Sequence, residues 1–201
     1  MSSSSSRDCG TSDSAFLASL LPVLEAAGQL KHLARAGWVR VGIPDPESVA
    51  DHSFRLALLA MLVGSHLGLD ADRMIRLALL HDLAEARVGD LTPADRIGSA
   101  EKRRRETAAF RAIIAALPEA SALDALWREY TAGASREARV LRELDKLEMA
   151  MQALEYERRY PDGRPWADEF WESARAAISE PILVAFLEHL QSLRPGRNQA
   201  R

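Results

Sequence analysis

From Ser14 onward, apolar side chains recur every three to four residues in one segment after another. That spacing gathers them on one face of an α-helix, and the strict alternation of a half-buried strand persists nowhere. A first helix is predicted from Ser14 to Ala36, with Pro22 as the position able to interrupt it and Gly37 as its stop. A loop with Pro44 and Pro46 follows. Ser48 then suits an N-cap, and Asp51, three residues on, lies near the positive end of a second helix that runs to about Leu67 and stops at Gly68. Asp70 caps a third helix ending near Glu85, and Gly89, Pro93 and Gly98 mark 86–98 as a loop. Further helices fit 99–116, 119–131, 135–159 (with Ser135 as a cap), 166–178 and 180–193. The expectation is an all-α fold, a single bundle of about seven or eight helices. It occupies residues 14–193, with polar, disordered tails at 1–13 and 194–201.

Composition narrows the functional classes. Apolar residues make up 47% of 201, enough for one core. A net charge of −3 gives no pull toward nucleic acid or an anionic membrane. The basic run Lys102-Arg-Arg-Arg105 is bracketed by Glu101 and Glu106 and reads as a solvated helix face, with Lys102 or a neighbouring Arg available to a phosphate. Cys9 is the only cysteine, which excludes an internal disulfide framework and a cysteine zinc finger. No run is long and apolar enough to span a bilayer, and the serine-rich start lacks the basic and apolar stretches of a secretory signal. A cytoplasmic protein is expected.

Candidate chemistry comes from polar residues on the apolar stripes. In the second helix Val49, His52, Leu56, Leu59 and Val63 share one face; in the third, Met74, Leu77, His81 and Ala84 do, with Asp82 beside them. In the helix over 135–159, Val140, Leu144, Leu147, Met151 and Leu154 form the stripe and Asp145 flanks it. Each residue has an ordinary explanation: a satisfied core histidine, Asp82 paired with Arg76 or Arg87, Asp145 paired with Arg142 or Lys146. Together, two imidazoles and two carboxylates directed inward would be costly if unpaired, and one divalent cation would satisfy all four. Such a set suits Mn, Fe(II), Co, Ni or Zn better than Ca or Mg. Glu85 follows His81 by four residues and Asp82 by three, so on a continuing helix it shares their face. It can orient water or protonate a leaving group; the alternative is a solvated carboxylate at a helix end. His32, His66 and His189 read as core or surface residues.

The order His…His-Asp…Asp resembles that of the HD-domain metal-dependent phosphohydrolases. The blocks Leu30-Lys31…Arg35-Ala-Gly-Trp38, Pro46-Glu-Ser-Val-Ala-Asp-His52-Ser, Leu80-His81-Asp82-Leu-Ala-Glu85, Val88-Gly-Asp90-Leu-Thr-Pro93-Ala-Asp95, Glu143-Leu-Asp145-Lys-Leu-Glu-Met149 and Glu155-Tyr-Glu157 look like those of the 5′-deoxynucleotidases of that group, in order over about residues 20–190. The resemblance implies a helical fold, often a homodimer, with one divalent metal per subunit, hydrolysing a deoxyribonucleoside 5′-monophosphate. By position it implies His52, His81, Asp82 and Asp145 as ligands and Glu85 as the catalytic acid/base. Arg35 and Trp38 would hold the phosphate and nucleotide, and Asp90, Leu91, Thr92 and Pro93 would contact substrate. In the bacterial enzymes of the group the Arg directly precedes the Trp; here Gly37 stands there, so Arg40 rivals Arg35. Trp38 suits base stacking or core packing, and Asp90 a sugar hydroxyl or a turn. Glu155 and Glu157 read as structural or interfacial. Two alternatives stay open: a phosphohydrolase for nucleoside triphosphates, cyclic nucleotides or guanosine tetraphosphate, and a non-catalytic, metal-containing nucleotide sensor.

Overall fold

Helix α1 (Cys9–Leu30) starts before Ser14, continues through Pro22, and ends six residues short of Ala36. Its early end has a tertiary cause. After turns closed by Lys31 and His32 onto Gly28 and Gln29, the chain extends and pairs with the segment before Ser48. Val49 N–H donates to Leu33 O (2.9 Å), Arg35 N–H donates to Glu47 O (3.0 Å), and Ala34 bridges Ser48 antiparallel. Local helix propensity yields because these main-chain groups find partners there. Gly37, expected as a stop, lies inside the short α2 (Ala36–Arg40).

The computed structural model describes residues 9–92, 95–160 and 166–195. Helix α3 (Val49–His66) opens with a capping box. Asp51 N–H donates to Ser48 Oγ (3.1 Å) and Ser48 N–H donates to Asp51 Oδ2 (2.9 Å). Helix α4 (Ala71–Leu80) is capped by Asp70, which accepts from Arg73 N–H at 2.9 Å. It stops at Leu80 rather than near Glu85. His81 to Ala84 form a turn, and α5 (Glu85–Val88) follows as a separate turn of helix closed by Gly89 at φ +78°. Then come α6 (Ser99–Ile114), α7 (Ala120–Ala132), α8 (Arg136–Arg159, capped by Ser135), α9 (Ala167–Ala177) and α10 (Pro181–Ser192). The described residues thus form ten helices, two of them short, and no sheet. The all-α bundle is as expected.

Two apolar cores result among the described residues. The larger joins α3, α4, α8, α9 and α10 through Leu56, Leu77, Leu144, Leu147, Trp171 and Leu187; the smaller joins α1, α6 and α7 through Leu30, Phe110, Ile113 and Trp127. Gly64 lets α3 and α4 close on each other, since a Cβ there would meet Met74 Sδ at 2.9 Å. Along α3, Val49 belongs to the small core and Leu56 to the large one, with His52 between them. Leu77 belongs to the large core and Leu83 to the small, with His81 and Asp82 between. The polar stripe residues therefore meet at the seam of the two cores, where burying apolar neighbours at roughly 1.5–3 kcal/mol per large side chain holds them in place.

Candidate metal centre

The seam brings the histidines and carboxylates together. His52, His81 and Asp82 each offer a donor atom within 4.8 Å of the others. His81 Nε2 lies 2.9 Å from Asp82 Oδ2, and His52 Nε2 lies 3.2 Å from Asp145 Oδ1 and 3.9 Å from Asp82 Oδ2. Ligands bound at 2.0–2.2 Å to one ion stand ~3 Å apart, so these separations suit a shared cation.

The protonation pattern agrees. His81 Nδ1 lies 2.6 Å from Ala78 O, which can only accept, so Nδ1 carries the proton and Nε2 offers a lone pair. His52 Nδ1 lies 2.5 Å from Glu148 Oε2, to the same effect. Both Nε2 atoms are buried without a hydrogen-bond partner. Two buried acceptors aimed at carboxylates are unfavourable unless a cation, either a metal ion or a proton, joins them. The site is therefore fit to coordinate a single divalent ion. Without one, burial and the Arg35 guanidinium push the His52 imidazole down, but Asp145 and Glu148 outweigh them and raise it to about 9. Burial alone would raise the Asp82 and Asp145 carboxyls. Instead His81, Arg35 and His52 hold Asp82 below the usual carboxylate range, while Lys146, His52 and Arg35 do so for Asp145.

A second acidic group, Glu47, His52 and Glu148, is equally tight. It already contains a cation. Arg55 Nε donates to Glu148 Oε1 (2.7 Å), Nη2 to Gln152 Oε1 (2.6 Å) and Nη1 to Glu155 Oε1 (2.7 Å), with Glu47 Oε2 3.8 Å from Nη2. Glu155 is thus structural, as is Glu157, which accepts from Trp171 Nε1 and Arg194.

Above the metal group opens a cavity of about 1030 Å³. Arg35 reaches into it, Nη1 3.2 Å from Asp82 Oδ2 and Nη2 3.9 Å from Asp145 Oδ1. Its rival Arg40 pairs with Glu169 (2.5 Å) at the exposed rim. Glu85 lines the cavity at 5% exposure, and its Oε2 is buried without a hydrogen-bond partner. Burial, then the charges of Asp82 and Asp90, push its carboxyl well above the ordinary glutamate value. It is neither a solvated helix end nor on a continuing helix. The turn at His81–Ala84 intervenes, and Glu85 N–H donates to Asp82 O at 2.9 Å.

Asp90 Oδ2 accepts Ala36 N–H (2.8 Å), tying the loop after α5 to the start of α2. Leu91 and Thr92 line the cavity. Leu91 O accepts from Lys102 Nζ (2.5 Å), and Thr92 donates from N and Oγ1 to Asp95 Oδ2 (2.6 and 3.0 Å). Pro93 lies outside the described residues. Trp38 is 2% exposed, stacked on Phe170 at 4.1 Å and donating from Nε1 to Glu47 Oε1 (2.9 Å). With one face covered and its N–H engaged, the indole stiffens the cavity wall.

Asp82 pairs with neither Arg76 nor Arg87 but with Arg35, while Asp145 does pair with Lys146 (3.0 Å). On α6, Ser99, Lys102, Arg103 and Glu106 line the cavity at i, i+3, i+4 and i+7, whereas Arg104 and Arg105 turn away to Glu101. None of His32, His66 and His189 is among the described cavity-lining residues. Sequence reasoning passed over Glu148, Arg55 and Tyr130. Glu148 and Arg55 had a signal, each standing three residues after an inward polar residue (Asp145, His52) on the same helix. Tyr130 had none. Its ring packs edge-on against His81 at 5.6 Å, and burial together with Asp145 and Asp82 pushes its phenol up, keeping it a donor.

A family model described as HD domain matches residues 27–183. The human protein 5′-deoxynucleotidase HDDC2 is 42% identical over 179 residues, covering 88% of this chain and 86% of that protein. The Schizosaccharomyces pombe 5′-deoxynucleotidase hdd1 is 33% identical over 175 residues, covering 84% and 87%. Among solved structures, the PH0347 protein from Pyrococcus horikoshii matches with a TM-score of 0.72 and 30% identity, covering 87% of this chain and 99% of that one.

Proposed function

The chain belongs to the HD-domain family of metal-dependent phosphohydrolases, and from that premise we propose that it hydrolyses deoxyribonucleoside 5′-monophosphates to deoxyribonucleoside and phosphate. The observation that carries the reading is the convergence, beneath one cavity, of two partnerless imidazole Nε2 atoms, a carboxylate pair, a buried guanidinium and the buried Glu85 carboxyl, raised by burial and by Asp82 and Asp90. Relatives bearing the name 5′-deoxynucleotidase supply the substrate class.

His52, His81, Asp82 and Asp145 would hold the ion, which supplies a water of lowered pKa and charge neutralisation at a phosphoryl oxygen. Arg35 offers two N–H groups to the equatorial phosphoryl oxygens, a fork that lysine cannot reproduce. Attack of water on phosphorus forms the new P–O bond as the bond to the 5′-oxygen breaks; Glu85 delivers its proton to that leaving oxygen, and the proton shed by the attacking water returns through solvent to the Glu85 carboxylate. Asp90 has one oxygen engaged by Ala36 N–H; the other is available to a sugar hydroxyl. Arg55 fills the neighbouring acidic group, which favours a single-ion site over a two-metal one. The large apolar residues of α3 that stay exposed, Phe54 (66%), Leu58, Met61 and Leu62 (63%), support self-association, which light scattering of the purified protein would measure.

The test is phosphate release from deoxy- and ribonucleoside mono-, di- and triphosphates with Mn, Co, Ni, Zn and Mg. Turnover confined to triphosphates, or absent with every ion while nucleotide still binds, would overturn the reading.

A further inference from the structure

Two histidines face the proposed ion, and their far sides differ. His81 is held by a neutral main-chain carbonyl, Ala78 O. His52 is held by a carboxylate, Glu148, that is 0% exposed and stands three residues after Asp145 on α8. A buried carboxylate keeps its charge only when compensated. Arg55 does this from two atoms, with Nε and Nη2 each 2.7 Å from Glu148 Oε1. The division of the carboxylate is complete: Oε1 faces the guanidinium and Oε2 faces the imidazole. An ionised carboxylate can only accept, so the imidazole proton is drawn to Nδ1 and the lone pair of Nε2 points into the metal group.

We propose that Glu148, locked by Arg55, is a positioning residue that sets the tautomer and orientation of His52 and so the affinity of the site for its divalent ion. The inference rests on the metal-dependent reading of the site. It goes further by assigning the strength of the centre to a residue that touches neither the ion nor the substrate. An anionic partner raises the donor strength of a ligating imidazole in a way a carbonyl does not, and losing such a partner lowers metal affinity by roughly 10–100-fold. Glu155, which is 56% exposed, also bonds Arg55 but does not contact His52. It is the internal control: same cluster, no reach to the imidazole.

The experiment is a competition titration of Zn²⁺ between a chromophoric chelator and purified wild type, Glu148→Gln, Arg55→Lys and Glu155→Gln. Thermal melts are recorded metal-free and metal-saturated for each, and the His52 tautomer is read by ¹⁵N NMR of the zinc-loaded proteins. Glutamine retains the size and an acceptor oxygen but loses the charge. The expected result is a 10–100-fold rise in Kd for Glu148→Gln, a smaller rise for Arg55→Lys, and a Kd within twofold of wild type for Glu155→Gln. The metal-induced upshift in Tm shrinks for Glu148→Gln, and the Nδ1–H signature of His52 weakens. A Kd within twofold of wild type for folded Glu148→Gln overturns the proposal. So does an equal loss of Tm with and without metal, because a merely structural carboxylate lowers both. If Glu148→Gln does not fold, Arg55→Lys decides by the same criteria. If wild type binds no zinc, manganese or cobalt, the metal-dependent reading itself falls, an outcome distinct from a difference between variants.

Discussion

The imidazole of His52 separates two acidic groups of the same make-up. On its Nε2 side stand Asp82 and Asp145; on its Nδ1 side stand Glu148 and Glu47. The second group contains the chain's own cation, Arg55, whose donors reach Glu148, Gln152 and Glu155 at 2.6–2.7 Å. The first group has Arg35 at 3.2 Å from Asp82 and 3.9 Å from Asp145, and Lys146 at 3.0 Å from Asp145, but its two imidazole Nε2 atoms find no donor and it opens onto the cavity. Clustered carboxylates alone therefore say little. A cluster closed by a protein cation is structure, whereas one whose buried nitrogens lack donors is prepared for an ion from outside.

The difference can be broken from either side. The largest effect is expected on the open side: Asp82→Ala or Asp145→Ala should reduce phosphate release about 10³-fold, several kcal/mol of transition-state stabilisation, and chelation of wild type should reproduce the loss. Wild-type turnover in both variants at verified metal content would show that the open group is not the reaction centre.

Glu85→Gln should lower kcat by roughly 10²–10³-fold with KM little changed. The pH dependence sharpens this. Glu85 acts in its protonated form, so wild-type kcat should fall as pH rises through its raised pKa, and that limb should vanish in the variant. The sign for stability is the same. A carboxyl raised in the folded state contributes stability that is complete below the ordinary glutamate value of 4.5 and is lost as pH climbs through the folded value. Denaturant titrations of the metal-free protein at several pH values should show that loss in wild type and less of it in Glu85→Gln.

On the closed side, Arg55→Leu leaves Glu148 charged and 0% exposed with only His52 as partner, and should destabilise the fold by about 3 kcal/mol. The measure is the urea midpoint at constant slope. Smallest is the contrast between the rival arginines. Arg35→Lys should lower kcat/KM about 10²-fold because the two-point fork is lost, while Arg40→Ala should stay within about twofold, since its partner Glu169 lies at the exposed rim. Equal effects of the two would remove the assignment of Arg35 to the phosphate.

Helix content, the caps at Ser48, Asp70 and Ser135, and the inward direction of His52, His81 and Asp145 were legible in the chain because all three depend on residues within a turn or two of one another. The same periodicity could not place the end of α1 at Leu30, because that end is set by pairing with Glu47 and Val49, across a loop. Nor could it choose Arg35 over Arg40, bury Trp38 against Phe170, or show that burial and the charges of Asp82 and Asp90 raise the Glu85 carboxyl. Desolvation and charge at a side chain are sums over neighbours far away along the chain. Glu148 and Arg55 lie 93 residues apart and compensate each other only once α3 and α8 are packed side by side.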